Sequence, residues 1–371
     1  MPADPAPSTR PGAARVWVTR DYTPADADAI LALRQAAFGD VDPARLLPEI
    51  WRWQFLDNPA GPGWVRLADH DGRIVGQYAA IPTRFRRGAK GDVTLAMSCD
   101  TMTHPDYQRQ GMFVTLANEL YADLERRGVP TVWGFPNAAS RPGFVGKLRW
   151  FDVHEFPTWV KPLHSRYVLR RWVRWGPLAT ALGAVGDAAY RVVAPRPPEP
   201  RRATIRPLTA FDARFDELWA RHRDLAPLVQ VRDPAFLTWR FLAAPVFRYE
   251  PFEITVDGRL EGYVVLRVVT LFDLPFGAVV DLFPCPVVDA EVTREVLGFA
   301  QRHVAARGAA FLTALLPPRL ERHLRSFGFL RVPRSLNPRH WYLGCRAAPA
   351  DEGFFRAIEN WYITYGDSDI I

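Results

Sequence analysis

"VTLAMSCDTMTHPDYQRQGMFVTLANELYADLERRG", residues 93–128, divides into three pieces. Residues 93–103 read as a strand and residues 112–128 as a helix. Between them, residues 104–111 hold one glycine among basic and amide side chains. A strand, a glycine turn and a helix start make an anion site by geometry. The first turn of a helix carries unpaired N–H groups and the positive end of the helix dipole. Gly111 lets the backbone come close to a ligand, and Gln108 and Arg109 can add side-chain donors.

Working outward, the surroundings of this turn occur twice. "WRWQFLDNP" (51–59) and "LTWRFLAAP" (237–245) align Trp53, Phe55, Leu56 and Pro59 with Trp239, Phe241, Leu242 and Pro245, at an offset of 186. "DGRIVGQY" (71–78) and "DGRLEGYV" (257–264) share that offset, as do Thr23 and Asp26 with Thr209 and Asp212. Farther on, Asp100 falls on Asp281 and Gly128 on Gly308 at slightly shorter shifts. The chain therefore reads as two copies of one unit, roughly 15–160 and 203–346. A disordered lead (1–14), a helical connector with a Pro-rich linker (161–202) and a C-terminal helix and tail (347–371) complete it.

Each copy has one order of signals. A helix starts at Thr23 and Pro24, with threonine as N-cap and proline at the first helical position. Two β-runs follow, joined by an Asp71-Gly72 turn. Then come the long strand, the helix after Gly111, a short strand, a short helix over 141–150 and a final strand, "FDVHEFPTWV", over 151–160. The fold class is α+β: two tandem domains, each a mixed, mainly antiparallel sheet flanked by helices.

Composition narrows the function. A chain of 371 residues with 48% hydrophobic and 23% charged residues is expected to be soluble, globular and two-domained. A net charge of +7 suits an anionic ligand, nucleic acid or a membrane surface. No nucleic-acid-binding motif accompanies it. Cys99, Cys285 and Cys345 are few and widely spaced, without a zinc pattern or disulfide framework, which points to a reducing, cytoplasmic setting. No apolar run reaches transmembrane length. In the connector, Leu178, Leu182, Val185, Ala189 and Val192 share a helical face. Arg166, Arg170, Arg171 and Arg174 alternate there with Trp172 and Trp175. The segment reads either as a connector packed on both domains or as a peripheral membrane contact over 166–194.

The order helix, strands, "QRQG", helix, strand, "GFPN" and terminal aromatic strand resembles the GNAT superfamily of acyl-CoA-dependent N-acyltransferases. Gln108-Arg109-Gln110-Gly111-Met112-Phe113 stands where that family has a Q/R-x-x-G-x-G/A turn, with phenylalanine replacing the last small residue. The resemblance implies that the amides of this turn hold the pyrophosphate of acetyl-CoA. It implies that the strand before it, through Met102, Thr103 and His104, pairs with the pantetheine arm and aims one N–H at the thioester oxygen. Asn137 stands where an asparagine often touches that arm. The resemblance calls for no metal. The second copy has no glycine or arginine at its turn and carries Asp289 and Glu291 instead, so it reads as a degenerate GNAT-like domain without cofactor.

An attacking amine must lose a proton, and Asp100 and His104 are the candidate bases. The tyrosine that many GNATs use to protonate the leaving thiolate has no counterpart in "GFVGKLRWF", which leaves Ser140, Tyr107 or water. In some tandem GNATs the terminal carboxylate enters the active site, so Asp367, Asp369 and Ile371 are further candidates. The rival readings are a silent CoA-binding sensor or scaffold and an aminoacyl transferase of the peptidoglycan-bridge kind.

Overall fold

The computed structural model describes residues 16–39, 43–164, 167, 175–193, 198–271, 274–337 and 340–368. The first half runs β1 (Val18–Asp21), α1 (Ala27–Phe38), α2 (Pro48–Phe55), β2 (Trp64–His70), β3 (Arg73–Arg86), β4 (Asp92–Thr103), α3 (Met112–Arg126), β5 (Val132–Gly134), α4 (Arg141–Lys147), β6 (Phe151–Phe156) and β7 (Trp159–Pro162). Helix α5 (Gly176–Val193) leads to the second half. That half runs β8 (Ala203–Pro207), α6 (Arg214–His222), β9 (Leu228–Gln230), β10 (Glu250–Val256), β11 (Arg259–Leu271), β12 (Leu274–Phe283), α7 (Ala290–Ala306), β13 (Phe311–Ala314), α8 (Glu321–Ser326), β14 (Leu330–Arg331) and β15 (Trp341–Arg346). Helix α9 (Pro349–Arg356) and β16 (Trp361–Tyr362) form the tail.

The strands make two mixed sheets of matching order, β1-β2-β3-β4-β5-β15-β6 and β8-β10-β11-β12-β13-β7-β14. Along each order one parallel pair, β4 with β5 and β12 with β13, sits beside antiparallel neighbours, and in the first sheet β9 branches from β3 and pairs in parallel with β16. Each sheet is completed by a strand from the other half: β7 inserts between β13 and β14, and β15 between β5 and β6. The single strand expected over 151–160 is therefore two strands in two sheets. Pro157 follows β6 directly, and a residue without an N–H cannot continue a ladder.

The matched residues occupy matched places. Asp71-Gly72 and Asp257-Gly258 both turn through positive φ (51° and 81°, 51° and 77°), as a two-residue hairpin loop requires. Trp53 and Trp239 stack with ring centroids 4.9 Å apart. Each indole N–H donates to the other's backbone carbonyl, at 2.8 and 2.9 Å. The pair marks a local two-fold relation where the halves meet. At the start of α1, Thr23 N donates to Asp26 Oδ2 at 2.7 Å, and Arg20 grips the same carboxylate.

The two faces of the first sheet are covered differently. Tyr78, Ala80 and Ala96 cluster with Leu116, Leu120 and Leu124 of α3. Ala79, Ile81, Met97 and Cys99 cluster with Ile30 and Leu33 of α1 and Trp51 and Phe55 of α2. On α5, Leu178, Leu182 and Val185 are exposed, as is Trp175 just before it. The lead and Arg166, Arg170, Arg171, Trp172 and Arg174 lie outside the described residues. Among the described residues no helix is long and apolar enough to cross a membrane.

Candidate functional site

Strands β4 and β5 pair only at Ala96–Val132 and Met97–Trp133, then separate. A Cβ on Gly134 would lie 2.9 Å from Ser98 O, so glycine marks the point of closest approach before they diverge. The opening is a cleft of about 2420 Å³ including its mouth, walled by residues 98–103 on one side and by Phe135 to Ser140 and α4 on the other. Of the residues expected to meet acyl-CoA, Met102, Thr103, Gln108, Phe113 and Asn137 line it.

Arg109, Gln110, Gly111 and Met112 build the turn that opens α3. Arg109 and Gly111 both have positive φ, 62° and 75°. Gly111 is the N-cap of α3 and brings no side chain to the first-turn N–H groups. A Cβ added there meets nothing within 4 Å, so the backbone is open to a ligand. Two neighbours anchor the turn instead of facing the cleft. Gln110 Oε1 accepts from the buried Trp17 indole at 3.0 Å, and Met112 is buried against Gly76. Phe113, at the family's small position, fits because α4 makes room. It lies 5.1 Å from the Phe144 ring, and a Cβ on Gly143 would come within 3.1 Å of it. Asn137 Oδ1 accepts from the amides of Ala139 and Ser140, and Ser140 Oγ donates to Asn137 O at 3.3 Å. These two residues thus shape the start of α4 while lining the cleft.

Asp100 sits on an irregularity of β4. Ala79 faces Cys99 and Gln77 faces Met102, so β4 carries one extra residue at this point. Asp100 itself has φ of 49°. The bulge turns its carboxylate towards α1, where Arg34 pairs with it. Its carbonyl accepts from Gln77 Nε2 at 2.9 Å. Asp100, Arg34 and Arg45 border the cleft and also a second, narrow cavity of about 60 Å³ between the two halves. Trp53, Thr83, Gln230, Trp239, Tyr249 and Arg267 are on the walls of that cavity, together with Gly366 to Ser368 of the tail.

His104 is not brought to this point. Its Nε2 faces Arg73 at 2.7 Å, and its Nδ1 accepts from Asp106 N. Tyr107 is occupied by His70. Ser98 was missed by sequence reasoning. It lines the cleft, and its hydroxyl is 2.9 Å from Tyr78, which contacts Tyr121, which accepts from Trp150. Burial drives the Tyr78 hydroxyl well above the usual tyrosine pKa. Arg34 was also missed, although a charge on the Ile30–Leu33–Ala37 face of α1 was a readable signal.

The second half closes the corresponding places. The buried Asp281 is held by Arg232 at 3.1 Å, Tyr263 at 2.7 Å and Thr364 at 2.9 Å. The tail delivers Asp367 to the same guanidinium at 3.0 Å. Burial raises the Asp367 pKa against the opposing pull of Arg232. Asp367 is thus a structural anchor here, and Asp369 and Ile371 lie outside the described residues. At α7, Asp289 caps the helix by accepting from the amides of Glu291 and Val292.

Residues 18–151 match the family model of a GNAT acetyltransferase domain. None of the curated proteins compared with the chain matches it. Among solved structures, an Enterococcus faecalis V583 protein of unknown function, described as "Probable N-Acyltransferase", aligns over 90% of this chain and 73% of its own. Its TM-score is 0.62 at 13% identity. GCN5-related N-acetyltransferases from Anabaena variabilis ATCC 29413 and Kribbella flavida align over 89% and 90% of this chain and 72% of their own. Both have TM-scores of 0.58, at 14% and 17% identity. These structural likenesses show a shared fold.

Proposed function

We propose that this chain, whose residues 18–151 are a GNAT acetyltransferase domain, is an acyl-CoA-dependent N-acyltransferase. It moves an acetyl group to an amine of a small molecule or amino sugar, using one working site in its first half. The observation that carries this reading is the cleft between β4 and β5, which ends on a helix start that no side chain caps. The cosubstrate supplies an acyl thioester; the residues of the chain do the rest. The amides at Arg109 to Phe113 and the α3 dipole suit a pyrophosphate. The freed edge of β4 suits a pantetheine arm, and an N–H of that edge is assigned to stabilise charge on the thioester oxygen.

An alkylamine of pKa about 10.4 is neutral in roughly one molecule in 2,500 at pH 7, so a proton must be removed before attack. Asp100 borders both cavities and is assigned to receive it; Arg34 fixes its carboxylate in place. On the α3 face, Ser98 offers a hydroxyl to the departing sulfur. The cavity between the halves holds the acceptor. Titration calorimetry with acetyl-CoA, followed by a thiol-release assay on an amine panel, tests the reading. Binding that Gly111→Glu removes, together with turnover that Asp100→Asn lowers at unchanged acetyl-CoA affinity, is the expected result. A wild-type protein that does not bind acetyl-CoA would overturn it.

A further inference from the structure

We infer that the acceptor carries an oxyanion, a carboxylate or a phosphate, besides its amine, and that Arg267 reads it. The inference rests on the acyltransferase reading and concerns the cavity between the halves. The carboxylates on its walls already have cations. Arg34 pairs with Asp100, Arg84 with Asp233 at 2.8 Å, and Arg232 with Asp367. Arg267 is different. Its guanidinium lies 4.7 Å from the Phe247 ring centre and 5.2 Å from that of Tyr249. Among the described residues no carboxylate is within ion-pair distance of it.

A partly buried cation without a counter-charge is costly unless something else supplies one. Burial lowers the Arg267 pKa, and the charges of Arg240 and Arg45 push it the same way, against the Tyr249 oxygen. The Phe247 ring covers a face of the guanidinium and a hydrogen bond to the Tyr249 hydroxyl uses part of its edge, so the remaining N–H groups are left for a planar or tetrahedral oxyanion. A second group asks for the other end of such a ligand. Gln230 is 4% exposed and lines the cavity, and its Oε1 has no hydrogen-bond partner. A buried carbonyl oxygen left unmatched suits an N–H donor, which an amine provides. Trp53, Phe236 and Trp239 give the cavity apolar walls for the body between the two ends.

The test uses matched amines in the thiol-release assay: glucosamine against glucosamine 6-phosphate, and phenylethylamine against phenylalanine. The two pairs distinguish phosphate from carboxylate. The anionic member of one pair is expected to have a kcat/KM higher by roughly 30-fold, the size of a hydrogen-bonded charge contact. In Arg267→Gln that ratio should fall to about one, with acetyl-CoA affinity unchanged, because only the anion contact is removed. Arg267→Lys, which keeps the charge, should retain part of the preference. Melting of the CoA-saturated protein gives a readout independent of turnover: inorganic phosphate or phenylacetate should raise the melting temperature of wild type more than that of Arg267→Gln. Equal turnover of neutral and anionic amines, or equal loss of both in Arg267→Gln, overturns the inference. So does the absence of both turnover and any Arg267-dependent shift. In each of these cases intact acetyl-CoA binding leaves the acyltransferase reading standing, whereas lost acetyl-CoA binding strikes that reading itself.

Discussion

The two halves place an aspartate at the same point of the same sheet and treat it in opposite ways. Asp100 meets one arginine and borders two cavities. Asp281 is 1% exposed and is surrounded by Arg232, Tyr263, Thr364 and, through the shared guanidinium, Asp367. The helix starts differ in the same sense. Gly111 leaves the first-turn amides of α3 uncapped, while Asp289 occupies those of α7. One half presents polar groups outward, and the other satisfies them from within. A scaffold requirement alone would treat both alike, so the difference argues for a ligand in the first half.

The strongest challenge to this contrast is removal of each arginine. Arg232→Met leaves two carboxylates buried without a cation. It should cost about 3–5 kcal/mol, as breaking a buried ion pair does, read from denaturant midpoints. Arg34→Met leaves Asp100 beside a cavity that water can enter, so its stability cost should stay under about 2 kcal/mol. Its main effect should be on turnover. Equal stability losses in the two variants would mean that the first site is as closed as the second.

Much of this arrangement was visible in the sequence, and the rest was hidden for definable reasons. The Trp53/Trp239 and Asp71-Gly72/Asp257-Gly258 correspondences are carried by residues with narrow geometric roles, so their repetition exposed the repeated strand order. The strand exchange was not legible. Residues 159–162 and 341–346 have the same aromatic and apolar character whichever sheet receives them, and only the break at Pro157 hinted at a change of partner. The turning of Asp100 towards Arg34 depends on one extra residue in β4, a bulge that no residue type announces. The Arg232–Asp281–Asp367 cluster joins three segments far apart in the chain. Phe113 looked out of place until Gly143, on a different helix, was seen to make room for it.

The exchanged strands sharpen the comparison through pH. Lys161 of β7 is 1% exposed, although it carries an ammonium group. Its ammonium donates to Phe327 O and lies 3.6 Å from the Phe327 ring centre. Burial, helped by Arg294, lowers its pKa to about 8. A folded-state pKa below the unfolded value near 10.4 means that the unfolded chain binds more protons between the two. Stability should therefore rise as pH passes from about 8 to 10.4, by up to roughly 3 kcal/mol. The full penalty persists below pH 8. Lys161→Leu should flatten that rise in denaturation curves recorded at pH 7, 8, 9 and 10, approximated from the folded and unfolded pKa values. A slope that survives the substitution would move the titration to another group.

At the first helix start, Gly111→Glu sets a side chain at φ of 75° and a negative charge beside the uncapped amides. Acetyl-CoA affinity should fall by about 100-fold, near 2.7 kcal/mol, in calorimetry. Gly111→Ala, with the backbone strain but no charge, should cost affinity less, and the difference between the two measures the charge contribution. Equal losses would assign the effect to the backbone alone.

The smallest expected effect belongs to Asp289→Ala at the other helix start. Its carboxylate accepts from two amides and from Arg202 at 2.6 Å, and these bonds hold its pKa below the usual range, that to Val292 foremost. Losing such a cap should cost about 1 kcal/mol of stability. The substitution frees the amides of α7, so a site defined by the helix start alone would now bind acetyl-CoA in the second half. The tail argues against that. Tyr362 donates to Leu282 O at 2.5 Å, and a Cβ on Gly366 would sit 3.1 Å from Asp281, so the segment lies directly on β12 where a cosubstrate arm would need room. One binding equivalent per chain is therefore expected before and after the change. A second equivalent in Asp289→Ala would show that the cap, and not the docked tail, is what keeps the second half silent.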